Sequence, residues 1–154
     1  MWGQVNILRV DMATRAISVH AHEPTMNQPN DIAIGADGTL YASDSNWRHQ
    51  TGQLWRITSD GTVTRLESSI GTTNGIEVCP GEDRLYVNES AQRKVWTYDL
   101  ESDGTLSNKQ LLISFQDHGL DGMRCDVAGN LYINPPWKRY CGCCLTRRGI
   151  AARN

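Results

Sequence analysis

The dipeptide Leu-Tyr begins at positions 40, 85 and 131, and each copy sits in a run of the same shape. The first run is Asp37-Gly38-Thr39-Leu40-Tyr41-Ala42-Ser43-Asp44. The second is Asp83-Arg84-Leu85-Tyr86-Val87-Asn88-Glu89, and the third is Ala128-Gly129-Asn130-Leu131-Tyr132-Ile133. A second element follows the first two copies: Gly52-Gln53-Leu54-Trp55-Arg56-Ile57, then Arg93-Lys94-Val95-Trp96-Thr97-Tyr98. A degenerate forerunner of it occupies Gln4-Val5-Asn6-Ile7-Leu8-Arg9-Val10. Self-similarity at a period of roughly 45 residues marks a repeat architecture, in which each unit buries its apolar surface against its neighbours.

Within each unit the runs are short and rich in Val, Ile, Thr, Tyr and Trp, and Asp-Gly pairs such as Asp37-Gly38, Asp60-Gly61 and Asp103-Gly104 bound them. One unit is expected to form strands at Asp31–Ile34, Thr39–Ala42, Gln53–Thr58 and Val63–Leu66. The next is expected at Gly75–Val78, Arg84–Asn88, Lys94–Asp99 and Gln110–Phe115. No stretch keeps a 3.6-residue apolar period, so no helix is expected. Four short antiparallel strands per repeat is the pattern of a β-propeller blade. A β-sandwich with look-alike strands is the alternative, and the aligned Leu-Tyr and Trp positions argue against it. The chain is therefore read as all-β, an incomplete six-bladed propeller of about three blades spanning residues 1–133, with an irregular tail over 134–154.

Composition excludes some partners. A formal charge of −2 over 154 residues leaves no basic footprint for nucleic acid or an anionic membrane. No apolar run reaches the roughly 18 residues that span a bilayer, and the N-terminus lacks a signal-peptide pattern. The expectation is a cytoplasmic protein whose five cysteines are reduced. Cys141, Cys143 and Cys144 have no second Cys or His pair at structural-zinc spacing.

In a propeller the innermost strand of each blade lines the central channel, so residues just before those strands meet around the axis. The equivalent loops read Gln28-Pro29-Asn30-Asp31, Thr73-Asn74-Gly75 and Leu120-Asp121-Gly122. Taken singly, Asn and Gly there serve equally as turn residues. In repeat register, Asn30, Asn74 and Asp121 read as a convergent oxygen set. That set suits one hard divalent cation, calcium first, with zinc, manganese or magnesium as the other readings.

These residues resemble the gluconolactonase and regucalcin (senescence marker protein) family. The resemblance is carried by Gln28-Pro29-Asn30-Asp31-Ile32-Ala33, by Leu40-Tyr41-Ala42-Ser43-Asp44 with Asn46-Trp47, and by Thr73-Asn74-Gly75-Ile76-Glu77-Val78 with Leu85-Tyr86-Val87-Asn88-Glu89-Ser90. Leu120-Asp121-Gly122-Met123-Arg124-Cys125-Asp126 adds to it. It runs from about residue 4 to residue 133. It implies a six-bladed propeller with one divalent metal in its channel, hydrolysing sugar lactones. By that resemblance Asn74 and Asp121 are metal ligands, Asp121 is also the catalytic carboxylate, and Asn30 with Asp31 faces the substrate. Arg124, His118 and Glu89 are further candidate contacts, each read more readily as solvated or structural. The family's additional metal-binding Glu, in a Glu-Gly-Pro-like motif of an early blade, has no counterpart here, because the chain begins too late; Glu23-Pro24 is in the wrong place. Roughly the last two blades are missing as well. A fragment with two open blade faces is expected to be unstable and poorly active. Two rival readings stay open: a non-catalytic calcium- or ligand-binding propeller, and a propeller esterase acting on other esters.

The resemblance stops at Asn134. If one extra base is read near there, the codons of Cys141, Cys143 and Cys144 each become Ala or Val, and Trp137 followed by Lys138 becomes Gly. An apolar β run then stands where the repeat demands one. Residues 134–154 are accordingly expected to be a frameshift product, which sequencing the locus tests.

Overall fold

The computed structural model describes residues 5–81 and 83–134, together with the backbone of two short strands beyond them. The first two strands, β1 (Asn6–Val10) and β2 (Ile17–His22), form a two-stranded sheet. Blade 1 contains β3 (Pro29–Ile34), β4 (Leu40–Asn46), β5 (Thr51–Ile57) and β6 (Val63–Ile70) in that order. Blade 2 contains β7 (Thr73–Val78), β8 (Arg84–Glu89), β9 (Lys94–Leu100) and β10 (Leu106–Ser114). Blade 3 contains β11 (Met123–Cys125), β12 (Leu131–Ile133), β13 (Cys144–Thr146) and β14 (Gly149–Ala151). Every pairing is antiparallel between consecutive strands, and no helix occurs among the described residues. The chain is thus an all-β, incomplete propeller. All eight strands expected for blades 1 and 2 are present, several extended by a few residues at either end.

Two strands, β13 and β14, fall within the expected tail, and β13 adds to the edge of β12 through Leu131↔Leu145 and Tyr132↔Cys144. Residues 135–143, which carry Cys141 and Cys143, lie outside the described residues.

The Asp-Gly turns close the hairpins by one repeated device. Asp37, Asp60 and Asp103 each accept a hydrogen bond from the amide two residues on, at Thr39 (2.9 Å), Thr62 (3.1 Å) and Thr105 (2.9 Å). The intervening Gly38 and Gly104 take φ of +85° and +78°, a left-handed backbone that glycine adopts without a Cβ penalty.

The core is a set of seams between sheets, and the two-residue period of the strands distributes side chains between them. In β4 and β8 the Leu of each Leu-Tyr pair faces the preceding sheet and the Tyr faces the following one. Tyr41 packs with Leu54, Ile76, Leu85, Val87 and Tyr98 between blades 1 and 2. Tyr86 packs with Val95, Leu120, Met123, Leu131 and Ile133 between blades 2 and 3. Ile7, Ala21, Ala42, Trp55 and Ile57 fill the seam between the β1–β2 hairpin and blade 1.

The expectation of reduced cysteines is corrected at two positions. Cys79 and Cys125 form a disulfide across the seam between blades 2 and 3, with Cα atoms 5.3 Å apart and a sequence separation of 46. That separation is one repeat length, so Cys79, just after β7, and Cys125, at the end of β11, occupy near-equivalent places on adjacent first strands that pack side by side.

Candidate active site at the propeller axis

The pairing Pro29↔Asp44 and Thr73↔Glu89 places the starts of β3 and β7 at the same end of the blades. The loop entering β11 joins them there. Asn30 Nδ2 donates to Asn74 Oδ1 at 2.5 Å, and Asn74 Nδ2 donates to the carbonyl of Leu120, next to Asp121, at 3.2 Å. Three loops 44 and 46 residues apart are therefore in direct polar contact. Asn74 is buried, whereas Asn30 is exposed.

Second-strand side chains hold Asn74 and Asp121 from behind. Ser43 Oγ donates to the carbonyl of Asn74, and its repeat counterpart Asn88 donates through Nδ2 to the carbonyl of Asp121, both at 2.5 Å. Ser45 Oγ adds a bond to the carbonyl of Thr73 at 2.5 Å. Gly75 is required at this junction, because a Cβ there would lie 2.5 Å from the Asp121 carbonyl and 2.6 Å from Asn88 Nδ2. Neither contact can relax without moving backbone or a packed amide.

Buried carboxylates fix the loops leading into the first strands. Asp44, fully buried, accepts from the amides of Asn27 (2.9 Å) and Gln28 (2.6 Å) and from the Trp55 indole (3.1 Å). Its counterpart Glu89 accepts from the amide of Gly71 at 2.9 Å and is 5% exposed, which makes it a structural group rather than a substrate contact. Asp31 also turns toward backbone: its carboxylate accepts from Ile76 N in the next blade (3.2 Å) and from Ile32 N (2.9 Å). Glu77 repeats that bridge one blade on, accepting from Cys125 N (3.2 Å) and from Arg124 Nη1 (2.9 Å). Arg124 is thereby committed to an ion pair. The structure brings Asn30, Asn74 and the Asp121 loop together and sets the Asp31 carboxylate in the seam beside them.

Ser43, Asn88 and Asp44 are the supporting residues that motif reading passed over. Their signal was present in the repeat, since Ser43 aligns with Asn88 and Asp44 with Glu89. Asn88 is notable because it is fully buried and its Oδ1 has no partner among the described residues.

The sequence profile of the SMP-30/gluconolactonase/LRE-like region matches residues 3–138. The chain belongs to this family. A gluconolactonase of Zymomonas mobilis is 30% identical over a match covering 84% of this chain and 43% of that protein. A pentonolactonase of Haloferax volcanii is 30% identical over 73% of this chain and 39% of that protein. In fold, the chain superposes on the calcium-binding protein regucalcin of Agrobacterium tumefaciens with a TM-score of 0.81 at 19% identity, covering 97% of this chain and 52% of that one. The chain spans less than half the length of these two curated relatives.

Asn30, Asn74 and Asp121 are residue types that offer two carboxamides and one carboxylate, hard oxygen donors that fit calcium or magnesium better than a thiolate- or imidazole-seeking ion. Among the described residues no group of three or more His, Cys, Asp or Glu could hold a metal. A cation here therefore depends on amide oxygens. Three protein oxygens fall short of the roughly six to eight that calcium takes, so water or further groups complete the shell. No described helix is long and apolar enough to cross a membrane.

Proposed function

We propose that the complete propeller carrying these residues is a divalent-metal-dependent hydrolase of sugar lactones. The contact of Asn30 with Asn74, and of Asn74 with the Asp121 loop, carries this reading. Turn residues have no need to meet across three blades, whereas a ligand shell does. The two relatives named as lactonases support the substrate class.

In this reading Asn74 and Asp121 hold the cation, with calcium the first choice. A bound divalent ion supplies positive charge against a lactone carbonyl oxygen and acidity to water. The Asp121 carboxylate takes the proton from the attacking water, and Asn30 directs its exposed amide at the substrate's ring or hydroxyl oxygens. Asp31 acts from beside them by holding β3 to β7. Ser43 and Asn88 fix the carbonyls of the two ligand residues, so the shell is organised before substrate arrives. Residues 134–154 are read as a frame-shifted continuation of blade 3, and the isolated 154-residue chain is expected to turn over poorly.

The test is δ-gluconolactone hydrolysis by the complete propeller, followed in a pH-stat with and without chelator, for wild type and Asp121→Ala. Chelator-sensitive turnover that the substitution abolishes supports the reading. Metal binding without turnover would move the protein to the calcium-binding class, which the regucalcin likeness in fold keeps in view.

A further inference from the structure

The same end of the blades carries a cavity, beside the axial set, of about 270 Å³. Its walls come from three connections: Trp47 after β4, Ser90, Ala91 and Arg93 after β8, and His118 with Gly119 before β11. Glu89 pairs with Thr73, so Ser90 sits one residue beyond the position opposite the start of β7, and Gly119 stands two residues before Asp121. Ser90 and Gly119 also stand close together, since a Cβ on Gly119 would lie 3.1 Å from Ser90 Oγ. The inner lip of the cavity thus adjoins the axial site.

The walls are fastened to one another. Gln92 Nε2 donates to the carbonyl of Gln50 at 3.4 Å, joining the turn that follows Trp47 to the turn before Arg93. Arg93 Nη1 donates to the carbonyl of Gln116 at 3.0 Å, and Phe115 N donates to the carbonyl of Arg93 at 2.9 Å. His118 Nε2 lies 3.2 Å from Asp117 Oδ2. Arg93 and His118 hold φ of +57° and +60°, a left-handed backbone uncommon for non-glycine residues, and both line this one cavity.

One wall is an indole that is 46% exposed, and the others offer a hydroxyl, a guanidinium and an imidazole. A flat aromatic surface with a few planar hydrogen-bonding groups around it matches a sugar ring, which has an apolar C–H face and a rim of hydroxyls. We propose that this cavity is a glycosyl subsite, in which Trp47 carries the second sugar ring of a glycosylated aldonolactone whose lactone ring lies at Asn30, Asn74 and Asp121. The inference rests on the lactonase reading for the axial site and adds a substrate class to it: lactones derived from disaccharides.

Stable product aldonates separate the two sites. Calcium-loaded 154-residue chain is titrated by calorimetry with gluconate, with lactobionate (gluconate bearing a galactosyl group) and with 6-phosphogluconate. Lactobionate is expected to bind at least about tenfold more tightly than gluconate. Trp47→Ala should remove that gain while leaving gluconate affinity unchanged, and Trp47→Phe should restore most of it. Asp121→Ala should weaken both aldonates, and retention of gluconate affinity in that variant would count against the axial reading alone. Equal affinities for gluconate and lactobionate, no binding of either by chain with an intact β-sheet melt, or a Trp47→Ala loss shared by both would overturn the glycosyl subsite. A larger gain for 6-phosphogluconate than for lactobionate would overturn it too, and would reassign the cavity to anions through Arg93.

Discussion

Tyr41, Tyr86 and Tyr132 hold the same place in three successive blades, yet they are 2%, 9% and 46% exposed. The local sequence around them is alike, so the difference comes from what lies on the far side. Tyr41 and Tyr86 meet the next blade across a filled seam, whereas the ring of Tyr132 is left half in solvent, its hydroxyl bonded to Asp126 at 3.0 Å. The other end of the array matches it. The pairs Leu8↔Val19 and Val10↔Ile17 put four apolar side chains on one face of the β1–β2 hairpin, and all four are at least 45% exposed. In a repeat array burial is a property of the interface, and the same residue type contributes fully only where a neighbour covers it.

The largest consequence separates those two environments. Leu85 is fully buried in the seam between blades 1 and 2, so Leu85→Ala should cost about 2–5 kcal/mol, the range for a core leucine that leaves a cavity. Leu8→Ala, on the open face, should stay within about 0.5 kcal/mol. Urea midpoints of the two variants measure the contrast, and equal losses would mean that the open face is covered in solution. Val19→Lys sharpens the point: it should leave the melt unchanged and reduce self-association by light scattering, because it breaks an exposed apolar strip.

The disulfide divides the two buried seams from each other. Closing a loop of this separation stabilises by about 4 kcal/mol in the chain-entropy account, and measured values are commonly about 2–4. The double variant Cys79→Ser and Cys125→Ser should therefore lower the urea midpoint of blade 3 and its seam. The seam between blades 1 and 2 contains no cross-link and should respond less. Hydrogen exchange resolved by strand reads this difference. Thiol titration of the unreduced chain should find these two cysteines unreactive, and two titratable thiols there would restore the expectation that they are reduced.

At the axis the comparison narrows to one hydrogen bond per blade. Ser43 holds the backbone carbonyl of Asn74 and Asn88 that of Asp121, the two residues proposed to hold the cation. Ser43→Ala and Asn88→Ala should each destabilise by about 1 kcal/mol, the net worth of a typical buried hydrogen bond. Only Asn88→Ala should displace the Asp121 loop, seen as weakened calcium binding at unchanged Asn74 geometry. Equal weakening by both would mean that the three loops move as one unit.

Much of this was legible in the repeat. The Leu-Tyr and Trp positions located the strands of blades 1 and 2, and the loop register picked out three segments, at Asn30, Asn74 and Leu120-Asp121, that lie in contact. What escaped was anything decided by a neighbouring blade. The contact of the Asp31 carboxylate with the backbone of β7 is one such feature, which its place beside Asn30 in the sequence does not show. Cys79 and Cys125 were expected to be reduced, although their spacing of one repeat is itself the clue that adjacent blades bring them together. Period and turn chemistry are local and show in a sequence, while contacts across a seam depend on the rotation between blades, which no single run of residues encodes.

The smallest expected effect lies in the turns, where the blades are most alike. The Thr105 hydroxyl and then its amide hold the Asp103 carboxyl below the usual carboxylate range, and the Thr39 amide and then its hydroxyl do the same for Asp37. A carboxylate whose pKa is lower folded than unfolded contributes stability that is fully present above its unfolded value, near 4, and is lost as pH falls through the folded value. The melting temperature should therefore be flat from neutral pH to about 5 and decline below about 4. Both groups are exposed, so each contributes little and several act together. Asp103→Asn should remove one share of the acid-side decline, flattening the profile below pH 4 by a degree or two while hardly changing the melt at pH 7. An unchanged acid limb would assign the decline instead to the equivalent turn carboxylates Asp37, Asp60 and Asp126, whose pKa values are likewise lowered by hydrogen bonds within their turns.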